Sequence, residues 1–67
     1  MRVNNEKMTL NRAITVLELL LLKGYPIRQT AVEVNGAIVP NAKYRTYGLH
    51  NEDNVEIVRF AGGGLSN

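Results

Sequence analysis

The chain has 67 residues with no cysteine, no tryptophan and one histidine, and its formal net charge is +2. A hydrophobic content of 45% is typical of a globular protein, and this length predicts one small domain of modest stability. The missing cysteines exclude a disulfide framework, a thiolate zinc site and a cysteine nucleophile, and a single histidine cannot build a multi-histidine metal site. We therefore expect no metal centre in this chain.

The distribution of apolar and basic residues predicts neither a membrane span nor a nucleic-acid surface. The longest apolar run, residues 19–22, is far below the ~20 residues that cross a bilayer, and polar residues interrupt the N-terminus where a signal peptide would be apolar. The basic residues are scattered, except beside the tyrosines of residues 44–47. We interpret that segment as a loop whose rings pack on the edge of the core, rather than as an RNA contact. The expected compartment is the cytoplasm.

Residues 1–10 predict a β-hairpin. Two short strands, residues 2–4 and 8–10, flank a turn of polar residues at 5–7. By alternation, the inward side chains are Val3, Met8 and Leu10. Residues 11–14 then connect this hairpin to the next element.

A helix is predicted over Val16–Lys23. Thr15 and Glu18 have the spacing of a capping box, in which each side chain accepts a hydrogen bond from the other residue's backbone N–H. Gly24 suits the left-handed residue that ends a helix, and Pro26 prevents its resumption. One helix face carries Val16, Leu19, Leu20 and Lys23, and a second apolar pair is formed by Leu17 and Leu21. We interpret that pair as part of a wide apolar face covered by residues 25–29; the alternative is a partner or dimer patch.

A second hairpin is predicted over residues 31–40. Asn35 and Gly36 supply the positive φ angles of a type I′ turn, and the alternation of valines with Glu33 leaves one face buried. Pro40 ends the second strand because it cannot donate to a ladder. Residues 41–54 predict a polar, irregular loop with Leu49 as its aliphatic anchor, and we assign no chemistry to His50.

The last strand, residues 55–60, carries apolar side chains on both faces, which predicts a central position in the sheet. The order strand, strand, helix, strand, strand, loop, strand predicts an α+β fold in which one main helix packs across a mixed sheet of four to five strands. This is the β-grasp, or ubiquitin-like, architecture, and it would occupy residues 1–60. The ferredoxin-like alternative needs a second helix, which residues 41–54 are too polar to supply.

Residues 61–67 predict a flexible, glycine-rich C-terminal tail. Three consecutive glycines, Gly62 to Gly64, have no side chains to pack and lose much entropy when ordered. A frayed terminus or a linker explains such a segment simply. The functional alternative is a thin tail that enters another protein's active site, since a backbone without Cβ atoms can pass through a narrow channel.

Four segments occur in an order and spacing that are typical of one family. They are Val3-Asn4-Asn5-Glu6; Thr15-Val16 with Leu19-Leu20; Val32-Glu33-Val34-Asn35-Gly36 with Ile38-Val39-Pro40; and Val55-Glu56-Ile57-Val58 running into Gly62-Gly63-Gly64. Over nearly its whole length the chain resembles ThiS, the bacterial sulfur carrier family of thiamin biosynthesis. The small subunit of molybdopterin synthase (MoaD) shares the same fold and the Gly-Gly end.

The resemblance implies a sulfur carrier that is a protein co-substrate and not an enzyme. An E1-like, ThiF-like adenylyltransferase would use its own ATP-Mg to adenylate the Gly64 carboxylate, and a persulfide sulfur would then displace AMP to leave a thiocarboxylate. A ThiG-like thiazole synthase would receive this sulfur, and the carrier itself would bind no cofactor. The site residues implied are Gly63 and Gly64, and we expect the partner to contact Phe60, Ala61 and Gly62.

The active form in the ThiS family ends at Gly-Gly, whereas this sequence continues with Leu65-Ser66-Asn67. We hypothesise that a protease removes these residues to expose the Gly64 carboxyl. Two alternatives remain open: a sulfur carrier for cysteine, homocysteine or molybdopterin synthesis, and a ubiquitin-like binding module without sulfur transfer.

Overall fold

The computed structural model describes residues 1–60 of the chain. These residues form a five-stranded mixed sheet that is crossed by one helix. The elements are β1 (Arg2–Val3), β2 (Glu6–Lys7), β3 (Ile14–Thr15), α1 (Val16–Lys23), β4 (Thr30–Val34), β5 (Ala37–Val39), β6 (Gly48–Leu49) and β7 (Asn54–Arg59), with short 3-10 turns at Ile27–Gln29 and Asn41–Lys43. The sheet order is β2-β1-β7-β4-β5, with β1 parallel to β7 and the other neighbours antiparallel. The predicted α+β, β-grasp fold and the central position of the last strand are confirmed.

The helix begins and ends where the sequence predicts. The Thr15 N–H donates to Glu18 Oε1 at 2.8 Å, and the Glu18 N–H donates to Thr15 Oγ1 at 3.1 Å, so the capping box satisfies two backbone donors that a helix start leaves unpaired. At the other end Gly24 has a φ of 77°, and its N–H donates to the carbonyls of the last turn. The local sequence therefore fixes both ends of the helix.

One apolar stripe of α1 packs on the sheet, and a second remains in solvent. Val16, Leu19 and Leu20 are fully buried, and Leu17 is half-buried against the core. Leu21 and Leu22 are 63% and 68% exposed. The predicted cover by residues 25–29 is therefore wrong for Leu21: Tyr25 and Ile27 of that segment pack against the core instead.

The turn of the first hairpin begins one residue earlier than predicted and is shorter. Asn4 and Asn5 form the turn with φ values of 50° and 71°, and Val3 pairs with Glu6, so the predicted turn at residues 5–7 is wrong. Asparagine tolerates the left-handed conformation, and two such residues give a turn whose twist matches the strands. Val3 is buried and Met8 and Leu10 are partly buried, as predicted.

The second hairpin has the predicted turn. Asn35 and Gly36 have φ values of 54° and 87°, and Val34 pairs with Ala37 across the turn. The Asn35 side chain is also bonded to the last strand's start: its Oδ1 accepts from the Asn54 N–H at 2.9 Å, and its Nδ2 donates to Asp53 Oδ1 at 3.0 Å. The side chain of this turn thus connects the end of β4 to the start of β7 through hydrogen bonds.

A second, two-stranded sheet was not predicted. β3 pairs with β6 through Ile14 opposite Leu49, in segments that the sequence presents as a connection and a loop. Leu49 is fully buried, which confirms it as the anchor of that loop. Tyr44 is also buried, whereas Tyr47 is 36% exposed, so the predicted packing of the rings holds for Tyr44.

The core lies between α1 and the inner face of the sheet. Its buried apolar residues are Met1, Val3, Ile14, Val16, Leu19, Leu20, Val32, Val34, Val39, Tyr44, Leu49, Val55 and Ile57. Within residues 1–60, no helix is long and apolar enough to cross a membrane.

Candidate functional site

Phe60, the last described residue, is held by pairing of the central strand. β7 pairs with β4 up to Arg59, which lies opposite Thr30, and the Phe60 N–H continues this pairing by donating to the Gln29 carbonyl at 3.0 Å. Phe60 is the one predicted site residue within the described range; Ala61, Gly62, Gly63 and Gly64 lie outside it. Phe60 is therefore held in place by main-chain pairing with the segment that leads into β4.

Phe60 lines a shallow groove of about 260 Å³ at the end of the sheet. Ala31, Ile38 and Pro40 contribute apolar walls, and Arg28 lies at the same groove. Phe60 is half-buried, but it is not among the partly buried side chains that pack against the core. The Phe60 ring is thus partly exposed at the end of the described chain, next to other apolar groups.

The outer face of the sheet, which turns away from α1, leads to this groove. Val55 and Ile57 of β7 point inward and are buried, so Glu56 and Val58 between and beyond them point outward. Ladder partners share a face, and this places Ala31 opposite Val58 and Glu33 opposite Glu56. Sequence reasoning missed this surface, because the outward apolar residues become neighbours only once the register of two distant strands is known.

Two titratable groups have shifted pKa values, and both belong to the framework of the fold. The Thr15 N–H, helped by Arg12, lowers the pKa of Glu18 below its ordinary value. Burial raises the pKa of Tyr44, whose hydroxyl donates to the Thr30 carbonyl at 3.3 Å. The exposed His50 ring lies 3.8 Å from Asp53 Oδ2, and among residues 1–60 no three His, Asp or Glu side chains form a group able to hold a metal ion.

The family of the chain follows from a match that covers this fold and continues past it. The model of the ThiS family matches residues 1–64. This chain belongs to the ThiS family. The members of the ThiS family are small sulfur carriers of thiamin biosynthesis, which are not catalysts themselves. The match includes all three glycines of the tail and ends at Gly64.

Solved structures and a curated relative agree with the ThiS assignment. The crystal structure of a thiamine biosynthesis protein (ThiS) from Geobacter metallireducens superposes with a TM-score of 0.77 at 30% identity, covering 94% of this chain and 96% of that one. The solution structure of a thiamine biosynthesis protein from the same organism gives a TM-score of 0.71 at 30% identity, covering 94% and 85%. A thiazole synthase of Paramagnetospirillum magneticum is 39% identical over 62 residues, which are 92% of this chain. The chain spans 19% of the length of that relative.

Proposed function

We propose that this chain carries sulfur as a thiocarboxylate on the carboxyl group of Gly64 and donates it to the formation of the thiazole ring of thiamin. The observation that carries the proposal is the ThiS family match, which runs through Gly64. The Gly64 carboxylate would attack the α-phosphate of ATP and release pyrophosphate. Sulfur from a persulfide would then displace AMP from the acyl-adenylate to give an acyl disulfide, and a thiol would cleave the S–S bond of that disulfide, becoming oxidised itself and leaving the thiocarboxylate. Because a bare carboxylate is a poor acceptor, adenylation supplies the leaving group that the second step needs.

The division of labour between carrier and partners follows from what each can supply. The partner enzyme would provide ATP-Mg and the groups that stabilise the developing charge, whereas the carrier would provide an anchored, narrow tail. The hydrogen bond from the Phe60 N–H to the Gln29 carbonyl fixes the residue before this segment, and Gly62 to Gly64 within it have no side chains. We expect these steps in the cytoplasm, where ATP is available.

The proposed partners are a ThiF-like adenylyltransferase and a ThiG-like thiazole synthase. Support for the second comes from the relative named thiazole synthase, in which a region similar to this chain is part of a protein about five times longer. A carrier-like region joined to such a protein fits direct delivery of sulfur to it. Transfer to an acceptor of cysteine, homocysteine or molybdopterin synthesis, with none to thiazole synthase, would contradict this assignment.

The three residues after Gly64 must be removed before its carboxyl group can be adenylated. In the sequence, Leu65-Ser66-Asn67 follow Gly64, so its carboxyl group is in a peptide bond. We propose that a protease removes them. The test incubates the full chain, and a chain ending at Gly64, with ATP and the adenylyltransferase, and measures pyrophosphate release. We expect release only with the chain ending at Gly64; equal release from both would contradict the need for trimming.

Phe60 offers a test of the partner contact at the root of the tail. We expect Phe60→Asp to weaken binding to the adenylyltransferase by about tenfold, because it places a charge where an apolar contact is proposed. The matched control is Tyr47→Asp, since Tyr47 is also an aromatic residue at the surface and lies in a loop beside the start of α1. Calorimetry measures both affinities, and circular dichroism checks that both variants fold. Loss of folding in Phe60→Asp would instead assign Phe60 to the core.

A further inference from the structure

Asn35, at the tip of the second hairpin, is the one asparagine of the sequence that is followed by a glycine. In such a pair the backbone nitrogen of Gly36 can attack the side-chain carbonyl carbon of Asn35, since glycine has no Cβ to hinder the approach. Both residues are exposed, and no atom lies within 4 Å of the place where a Cβ of Gly36 would be, so base from the solvent reaches this nitrogen. The hairpin tip therefore has the groups needed for loss of the Asn35 amide.

Three hydrogen bonds hold Asn35 against the start of β7. The Asn35 N–H donates to the Asn54 carbonyl at 2.8 Å, and Asn35 Oδ1 accepts from the Asn54 N–H at 2.9 Å. Asn35 Nδ2 donates to Asp53 Oδ1 at 3.0 Å. The Asp53 side chain is only 16% exposed, and its Oδ2 accepts from the His50 N–H at 2.8 Å, so the acceptor of Nδ2 is itself held in place. We name the three bonds of Asn35 to residues 53 and 54 the clasp.

The attack by Gly36 breaks the clasp. The Gly36 N–H gives its proton to a base, its nitrogen forms a bond to Cγ of Asn35, and Nδ2 takes up a proton and leaves as ammonia, which gives a cyclic succinimide. Water then opens the ring at either carbonyl and leaves aspartate or isoaspartate. Because Cγ becomes tetrahedral and Nδ2 departs, the side-chain bonds to Asp53 and Asn54 are lost in this reaction.

We propose that Asn35 is a site of spontaneous deamidation, and that the clasp restricts the reaction to molecules in which the hairpin tip has opened. Local opening of this kind costs less free energy than global unfolding. The product does not rebuild the clasp, because an aspartate at residue 35 has no amide to donate and places a second carboxylate beside Asp53. Deamidation is therefore an irreversible record of opening between β4 and β7, and it needs no partner protein.

The rate of deamidation in the folded and unfolded chain tests the protection. The full chain is incubated at neutral pH in buffer and in urea, and intact mass with peptide mapping follows the conversion of the amide to the acid at residue 35. We expect the reaction to be at least about tenfold slower in buffer, because opening of the clasp limits it there. Equal rates in buffer and in urea would overturn the protection, and this comparison needs no variant.

Asp53→Ala tests the clasp itself, because it removes the acceptor of Asn35 Nδ2. We expect this variant to deamidate about fivefold faster than the wild type in buffer and at the same rate in urea. The matched control is Thr15→Ala, which removes a hydrogen bond at the start of α1 and should deamidate in buffer nearly as slowly as the wild type. An unchanged rate in Asp53→Ala, or equal acceleration in both variants, would overturn control by the clasp.

The product and the position of the reaction have their own measurements. Asn35→Asp places the product side chain in the fold, and we expect hydrogen exchange of the Asn54 amide to become about fivefold faster, since its acceptor is repelled by Asp53. Unchanged exchange would overturn the claim that the clasp is not rebuilt. Peptide mapping that finds the first loss of an amide at another asparagine would reject Asn35 as the site.

Discussion

Asparagine side chains act as additional peptide groups at two places in the fold. Asn4 Oδ1 accepts from the Ile57 N–H at 2.7 Å, and its Nδ2 donates to the Ile57 carbonyl at 3.2 Å. Asn51 makes the same two contacts with Leu10, at 2.8 and 3.0 Å. Such pairs extend the pairing of main-chain groups beyond the strands, which are only two residues long at β1. Short strands are thus stabilised by side chains that continue their ladders.

Asn4→Gly tests this role of asparagine without disturbing the turn. Glycine accepts the positive φ of residue 4, so the substitution removes the two side-chain bonds to Ile57 and a longer one, of 3.4 Å, to the Tyr25 hydroxyl. We expect a loss of about 1–2 kcal/mol in the free energy of unfolding, measured in urea. Asn5→Gly is the control, because Asn5 also has a positive φ and only its carbonyl accepts a side-chain bond, from Arg2. An equal loss in both variants would assign the effect to the turn.

Tyr44 couples stability to alkaline pH. Because burial raises its pKa in the folded state, the contribution of the neutral hydroxyl is fully present below the ordinary tyrosine pKa and is lost as pH rises above it. Tyr44→Phe should cost about 1 kcal/mol at neutral pH, since the bond to the Thr30 carbonyl is lost. It should also flatten the fall in melting temperature between about pH 9 and pH 11. Tyr47→Phe is the control. If the melting temperature of Tyr44→Phe falls at alkaline pH as steeply as that of the wild type, the coupling is contradicted.

At the scale of elements, the capping box is the best-defined local signal in the chain. Thr15→Ala should lower the free energy of unfolding by about 1 kcal/mol, because the Glu18 N–H loses its acceptor. The pKa of Glu18 is lowered in the folded state, so its stabilising contribution is present above the ordinary glutamate pKa and is lost as pH falls through the lowered value. Glu18→Gln should therefore make the melting temperature fall less as the pH is lowered. The same fall in the variant and in the wild type would contradict this.

Elements with a strong local signal could be predicted from the sequence, and elements that depend on distant partners could not. Thr15, Glu18 and Gly24 fix the helix, and the Asn35-Gly36 turn fixes the second hairpin. The β3–β6 pair could not be predicted, because two residues in each strand show no periodicity. The solvent exposure of Leu21 was missed for a related reason: burial of a second helix stripe depends on where residues 25–29 pack.

At the scale of the whole molecule, the sheet has one face that the helix covers and one outer face. Its central strand, β7, is the last described strand before the glycine-rich C-terminal residues. The assignment of Gly63 and Gly64 as the site came from the resemblance and not from geometry, since glycines without side chains leave no packing pattern to interpret. The outer face of the sheet could not be inferred from the sequence, because residues such as Glu33 and Glu56 become neighbours only through the pairing of β4 with β7.

The central claim is that Gly64 carries the sulfur, and intact-mass spectrometry tests it most directly. A chain ending at Gly64 is incubated with the adenylyltransferase, ATP, a persulfide donor and a thiol reductant, with the chain ending at Asn67 as control. We predict that the shorter chain gains the mass of an exchange of oxygen for sulfur, that the gain requires ATP, and that the longer chain keeps its mass. An unchanged mass in the shorter chain, with an enzyme preparation that charges another ThiS protein, would contradict the claim.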